Sequence, residues 1–276
     1  MQFDFGYIKI LFLTPRPPYI SEIPDEILKM FAYEGQTDLL AQYHDRSGFA
    51  RSAEYFPIYA EDNIERVLAM IKEGTSRYPE HILKAIQEYF PKNVKDGEIL
   101  VYGGDSYVLA ALLLDMGAKH ITIFDYARLR STHPKITILN YGDYKQFYLK
   151  GKLPEFDAFF AISFFNRVGL GRFGDALNPY ADRINMGRAY CLTKPGARGL
   201  VIDPAGFDAV VFNTNRIYGP LQNSHLFANW DQVYSTFKPF PNGKDSDLEG
   251  FCNKGDNPLN CFQALTIVEK PKCNSP

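Results

Sequence analysis

The chain is poor in the features that mark several specialised classes. Its 276 residues include four cysteines, five histidines and one tryptophan, and 30 basic side chains stand against 32 acidic ones. With no positive excess and no Lys/Arg stripe there is nothing to neutralise a phosphate backbone, so no nucleic-acid partner is expected. No apolar run approaches the roughly 18–20 residues of a membrane span. "YIKILFLTPRP" is interrupted by Lys9 and followed by prolines, without a charged lead or small-residue cleavage site, and reads as a packed strand or arm. Four cysteines are few for a disulfide scaffold, although a Cys252–Cys261 bridge is sterically conceivable and Cys273 lies nearby in sequence. Their spacing does not form a paired zinc knuckle and no histidine is close, so no metal is expected. No Asn-x-Ser/Thr acceptor and no G-x-S-x-G elbow occurs. The balance leans to a cytoplasmic protein with the secretory pathway still open, and says nothing of oligomeric state.

What is present is the texture of an ordered α/β chain: 46% hydrophobic, 15% aromatic and 22% charged residues. Residues 1–60 read as an irregular N-terminal arm or cap, rich in Pro, Tyr and charge from residue 14 on, with one helix in "DEILKMFAYEG". Two amphipathic helices follow, "DNIERVLAMIKEG", with Asp62 as its expected cap, and "YPEHILKAIQEYF". Beyond them short apolar runs alternate with helix-length connections: "EILVYGG", "HITIFDY", "KITILNY", "FDAFFAISFF" and "ARGLVIDPAG". Strands buried on both faces of a parallel sheet have this form, which predicts a Rossmann-like, doubly wound, mostly parallel α/β domain over residues 61–276. "AVVFNTNRIYG" and "CFQALTIVEKP" supply final strands, with "LQNSHLFANWDQVYSTF" between them as a helix or part of one.

In such a sheet, ligands bind beyond the carboxyl ends of the strands, so those ends carry the candidate chemistry. Gly103, Gly104 and Asp105 follow the first strand, where glycines allow close backbone approach and a helix start offers unpaired amides. Asp125 ends the second strand, placed to accept ribose hydroxyls, and Asp143 follows the third, where it can either meet an adenine or cap a helix. A dinucleotide G-x-G-x-x-G loop would need glycine at 105 and 108, where Asp105 and Val108 stand, and a pyrophosphate would meet a carboxylate. S-adenosylmethionine, with a sulfonium, an amino group and no phosphate, tolerates that acid.

After the fourth strand a loop carries Gly169, Gly171 and Gly174 around Arg172 and Asp175. Arg172 is a candidate for orienting an anionic or hydroxylated substrate, and Asp175 for holding Arg172 or acting as a base. Asn213, Arg216 and Tyr218 in "FNTNRIYGP" are candidate substrate contacts or internal braces.

The stretches "GAKHITIFDY", "FDAFFAISFFNRVGLGRFGDALNP" and "LTKPGARGLVIDPAGFDAVVFNTNRIYGPLQNSHLFANW" resemble the domain-of-unknown-function family 268 over roughly residues 60–240. That resemblance implies a class I methyltransferase-like Rossmann fold and no particular substrate. Where many relatives carry an acidic residue and a histidine before the G-L-G-R string, this chain has Asn166 and Arg167, so no histidine base is supplied. The leading expectation is an S-adenosylmethionine-dependent methyltransferase-like protein acting on a small molecule or glycan. The alternatives are a binding or scaffold member that has lost catalysis, and a nicotinamide-dependent reductase.

Overall fold

The computed structural model describes residues 22–41, 43, 58–76, 78–104, 107–126, 129–238 and 261–272. The elements in chain order are α1 (Asp25–Phe31), β1 (Asp38–Ala41), β2 (Ile58–Tyr59), α2 (Glu61–Lys72), α3 (Glu80–Tyr89), α4 (Pro91–Val94), β3 (Glu98–Tyr102), α5 (Tyr107–Asp115), β4 (His120–Asp125), β5 (Arg130–Ser131), β6 (Ile136–Asn140) and α6 (Tyr141–Leu149). They continue with β7 (Phe156–Ile162), α7 (Ala181–Leu192), β8 (Thr193–Ala205), β9 (Ala209–Phe212), β10 (Asn215–Ile217), α8 (Pro220–Leu226), β11 (Asp231–Lys238) and β12 (Phe262–Glu269).

A seven-stranded sheet in the order β11-β12-β8-β7-β3-β4-β6 forms the centre. Pairs from β8 through β6 are parallel, whereas β12 runs antiparallel to both β8 and β11. The central strands are apolar on both faces because both faces are covered. Ile99, Val101, Ile121, Ile123, Phe160 and Ile202 point to one cluster with α2, α3 and α5. Leu100, Tyr102, Phe124, Phe159 and Val201 point to the other, with Tyr144 of α6 and Met186 of α7. Gly199 of β8 is required by this packing: a Cβ there would lie 1.9 Å from the Phe159 ring.

Three features differ from the sequence reading. Helix α2 begins two residues earlier than a cap at Asp62 implies, at Glu61, and has no side-chain cap; Gly74, at φ +69°, ends it as expected. "AVVFNTNRIYG" is a tight hairpin, β9–β10, in a separate three-stranded sheet, and the N-terminal segment adds β1 to it in parallel. "DQVYSTF" is the edge strand β11, not the end of a helix. Among the described residues no helix is long and apolar enough to cross a membrane. Cys261 is disulfide-bonded and Cys191 is a free, exposed thiol; Cys252 and Cys273 lie outside the described residues.

Candidate functional site

The tips of β3 and β4 converge. The Gly104 amide donates to Asp125 Oδ2 at 2.7 Å, and Asp125 is paired in register with Asn140 at the tip of β6. Gly103 has φ +82°, a left-handed conformation that lets the chain turn out of β3, whereas Gly104 is required by crowding. A Cβ on Gly104 would lie 2.5 Å from Leu129 Cδ1 and 2.7 Å from Ile123 Cγ2, and the buried Tyr59 hydroxyl donates to Gly104 O at 2.8 Å. Close approach at Gly104 is therefore made by the protein's own side chains. On the other face Phe164 lies against Gly103 and stacks with Tyr126.

Between the tips of β3 and β7 a cavity of about 280 Å³ stays open, near the lower end of the roughly 300–1,000 Å³ range of ligand sites. Val101, Leu109, Ala110, Ile123 and Ile162 form its apolar wall, with Tyr59, Tyr78 and Tyr102 beside them. Gly103, Ser163 and Arg167 complete it. Ser163 has φ +52°, an uncommon backbone region for a non-glycine residue and more frequent at binding sites, and its amide is tied to Ile202 O at 2.7 Å.

The other described residues singled out in the sequence, apart from Gly103, are not among those lining this cavity. Asp143 sits in the first turn of α6, where its amide donates to the capping Asn140 Oδ1 at 3.0 Å and its carboxylate accepts from Asn140 Nδ2. Asp105 lies outside the described residues. Asp175 is buried within its own loop: it accepts from the amides of Gly169 (2.6 Å), Gly171 (3.3 Å) and Phe173 (3.2 Å). Burial raises its pKa against those amides. Arg172 is buried, with its guanidinium 5.6 Å from the Phe173 ring centroid, and Asn213 is buried in the β9–β10 turn.

Arg216, only 2% exposed, joins the two strings that carry the family resemblance. Its Nη1 donates to Val168 O (2.5 Å) and Phe165 O (3.3 Å), and its Nη2 to Asn178 O and Pro179 O (both 3.2 Å), so one guanidinium clamps both ends of the glycine loop. Burial alone would lower its pKa, but Asp182 (Nε to Oδ2, 3.7 Å), with Tyr33 and Tyr218, outweighs that and raises it. The Tyr218 hydroxyl donates to the same Asp182 Oδ2 at 3.1 Å.

Asp203 is a buried carboxyl that the strand-end rule applied to "LVIDP" would have found. Burial holds its pKa well above the usual carboxylate range; Asp182 pushes the same way, while the Asn166 amide, Arg167 and Arg216 pull it down. The Asn166 carboxamide lies between Asp203 and Asn215. With its nitrogen toward Asp203 it donates to Asp203 Oδ1 (2.9 Å) and Ser163 O (3.0 Å). With its nitrogen toward Asn215 it donates to Asn215 Oδ1 (2.6 Å), which also accepts from Arg167 Nε (3.3 Å). The first arrangement turns the Asn166 oxygen toward Asn215 Oδ1 at 2.6 Å.

A carboxyl whose folded pKa is raised contributes stability that is fully present below its unfolded value, near 3.9, and is lost as pH rises through the folded value. Urea denaturation between pH 4 and 9 should therefore show Asp203→Asn losing less stability with rising pH than wild type. Parallel curves would mean that Asp203 is ionised in the native protein. Asp175, shifted in the same direction, leaves residual pH dependence in both proteins.

Among the described residues no group of three or more His, Cys, Asp or Glu is placed to hold a metal ion. The strand order, with β12 reversed beside β8, is that of a Rossmann-like, doubly wound and mostly parallel sheet. The chain belongs to the family described as "Caenorhabditis protein of unknown function, DUF268", whose model matches residues 97–263.

No curated protein matches the chain. Among solved structures it is similar to the [4+2]-cyclase SpnF (TM-score 0.48, 11% identity, covering 78% of this chain and 98% of that one). It is also similar to the 1,6-didemethyltoxoflavin-N1-methyltransferase of Burkholderia thailandensis, solved with S-adenosylhomocysteine (TM-score 0.45, 13% identity, 78% and 92%). A third is the N-methyltransferase NodS of Bradyrhizobium japonicum, also with S-adenosylhomocysteine (TM-score 0.39, 10% identity, 76% and 98%).

Proposed function

We propose that this protein is an S-adenosylmethionine-dependent methyltransferase that holds its donor across the tips of β3 and β4. The observation that carries the reading is the Gly104–Asp125 bond, which sets a carboxylate at the tip of β4 beside the opening out of β3. A carboxylate has about four acceptor sites, so a bond from one amide is compatible with accepting ribose hydroxyls. In this reading Asp125 takes the ribose and Gly103 with the adjoining cavity takes the amino-acid end, while Gly104 is covered by the protein's own side chains. When bound, S-adenosylmethionine supplies a methyl group on a sulfonium that departs as a neutral thioether. This chain's residues orient the two reactants and exclude water, through the tyrosine and aliphatic walls of the cavity.

Isothermal titration with S-adenosylmethionine, S-adenosylhomocysteine and NADPH tests this. Binding of the two sulfur compounds but not of NADPH supports it; NADPH alone supports a nicotinamide enzyme, and binding of none supports a scaffold that has kept the fold without the chemistry. Asp125→Ala is expected to weaken S-adenosylhomocysteine by about 1–3 kcal/mol through lost charged hydrogen bonds. Unchanged affinity would remove Asp125 from the site.

A further inference from the structure

Strand β11 ends the seven-stranded sheet, and no strand among the described residues pairs with its outer side. All but Thr236 of its eight residues are exposed, including the large side chains Val233 (40%), Tyr234 (37%) and Phe237 (58%). An outermost strand presents a row of amides and carbonyls ready to pair with another chain, and proteins defend such edges with charges, above all lysine. β11 has charges only at its ends, Asp231 and Lys238, and they are opposite in sign; "QVYSTF" between them has none. Among the described residues neither is in an ion pair. Asp231 lies across from Glu269, a like charge whose cation is Arg198 at 2.8 Å, so Asp231 is short of a partner.

The register with β12 fixes which side chains share a face. Val233 is the extra residue of a bulge, so Asp231, Tyr234, Thr236 and Lys238 lie on the face of Leu265 and Ile267, and Gln232, Ser235 and Phe237 on the other. On the first face Tyr234 stacks on Tyr89 of α3, ring centroids 5.0 Å apart. A strand that pairs antiparallel with its own copy does so about a two-fold axis normal to the sheet, and residues across from each other then come from the same face. With Val233 set aside, the register that joins β11 to itself over its whole length is centred on Ser235. It sets Asp231 across from Lys238, Gln232 from Phe237, Tyr234 from Thr236, and Ser235 from itself. Every pair matches in face, and the end charges meet their opposites twice.

We propose that β11 is the interface of a two-fold homodimer, its edge pairing antiparallel with the same edge of a second copy about Ser235, so that the seven strands of each form one continuous sheet. The self-complementary charges favour a second copy over an unrelated strand. The inference stands apart from the donor reading: β3 and β4 lie beyond β12, β8 and β7, and pairing at β11 leaves their tips open.

Sedimentation velocity of the full chain over a concentration series tests this. Wild type should pass from monomer to dimer at micromolar concentrations. Lys238→Asp and Asp231→Lys each set like charges across both ends, and each should weaken the dimer about 10- to 100-fold. A one-to-one mixture of the two variants should dimerise again, since each then faces its opposite at both ends, which a misfolded variant could not do. The double variant Asp231→Lys/Lys238→Asp should also dimerise. In a Cys191→Ser background, Ser235→Cys should form a disulfide-linked dimer on mild oxidation, because facing residues of an antiparallel pair have Cα atoms about 4.5–5.5 Å apart. Gln232→Cys should not, because its own copy lies farther along the strand than the roughly 7 Å a disulfide spans. A wild-type chain that stays monomeric throughout the series overturns the proposal, as do single reversals that leave the dimer unchanged or Gln232→Cys cross-linking as readily as Ser235→Cys.

Discussion

Replacing Arg216 with leucine is expected to destabilise the protein by about 3–5 kcal/mol, the cost of leaving a buried partner charge uncompensated. The guanidinium donates to four backbone carbonyls, of Phe165, Val168, Asn178 and Pro179, and leucine leaves them with no replacement donor. It also leaves Asp182 with the Tyr218 hydroxyl but no cation. Arg216→Lys should recover only part of the loss, because an ammonium has three donors and cannot span both ends of the loop. Adding Asp182→Asn to Arg216→Leu should cost less than the two single losses summed, since it removes the unpaired charge. Urea denaturation of wild type, the three single variants and the double variant measures this. A loss under about 1 kcal/mol for Arg216→Leu would show that the clamp is dispensable and return Arg216 to consideration as a ligand contact.

Asp175→Ala is the second large effect, expected at about 2–4 kcal/mol, because it strips the acceptor from three loop amides, those of Gly169, Gly171 and Phe173. Gly169 is itself required in this loop: it sits at φ +78°, and a Cβ there would lie 2.3 Å from Asn178 O. Asp175→Asn keeps one acceptor oxygen and should lose about half as much. The pair also separates two roles for this carboxyl. A loop anchor loses stability in step with the amides it releases, whereas a general base would leave the melting curve of Asp175→Asn unchanged and abolish turnover.

Much of this architecture is legible in the chain because its determinants are local. The apolar runs that became β3, β4, β6, β7 and β8 are flanked by helix-length segments and turn glycines, and both patterns are visible in any window of ten residues. Strand β11 was hidden because six of its eight residues in "DQVYSTFK" are polar or aromatic with exposed side chains, and edge position, not composition, makes it a strand. The parallel pairing of β1 with β9 joins residues about 170 positions apart, and nothing local announces it.

At the candidate site the same division holds. The glycine turn and the strand-end Asp125 stand out by position. The sequence shows that Arg216 and Asp175 are donor and acceptor, but not that their partners are the backbone of the glycine loop. The two long strings of the family are thus bound to each other, which gives their residues a structural reason for being there. Tyr59 and Tyr78 reach the cavity from the segment before β3, where no periodicity marks them, and Arg167 shows in sequence only as a departure from its relatives.

The most direct test of the account is a crystal structure of the protein with S-adenosylhomocysteine. The account places the ribose hydroxyls within hydrogen-bonding distance of the Asp125 carboxylate and the homocysteine end beside Gly103, at the cavity between β3 and β7. A ligand bound elsewhere, or a β3–β4 opening kept closed by Tyr59, Leu129 and Phe164 at saturating ligand, contradicts it.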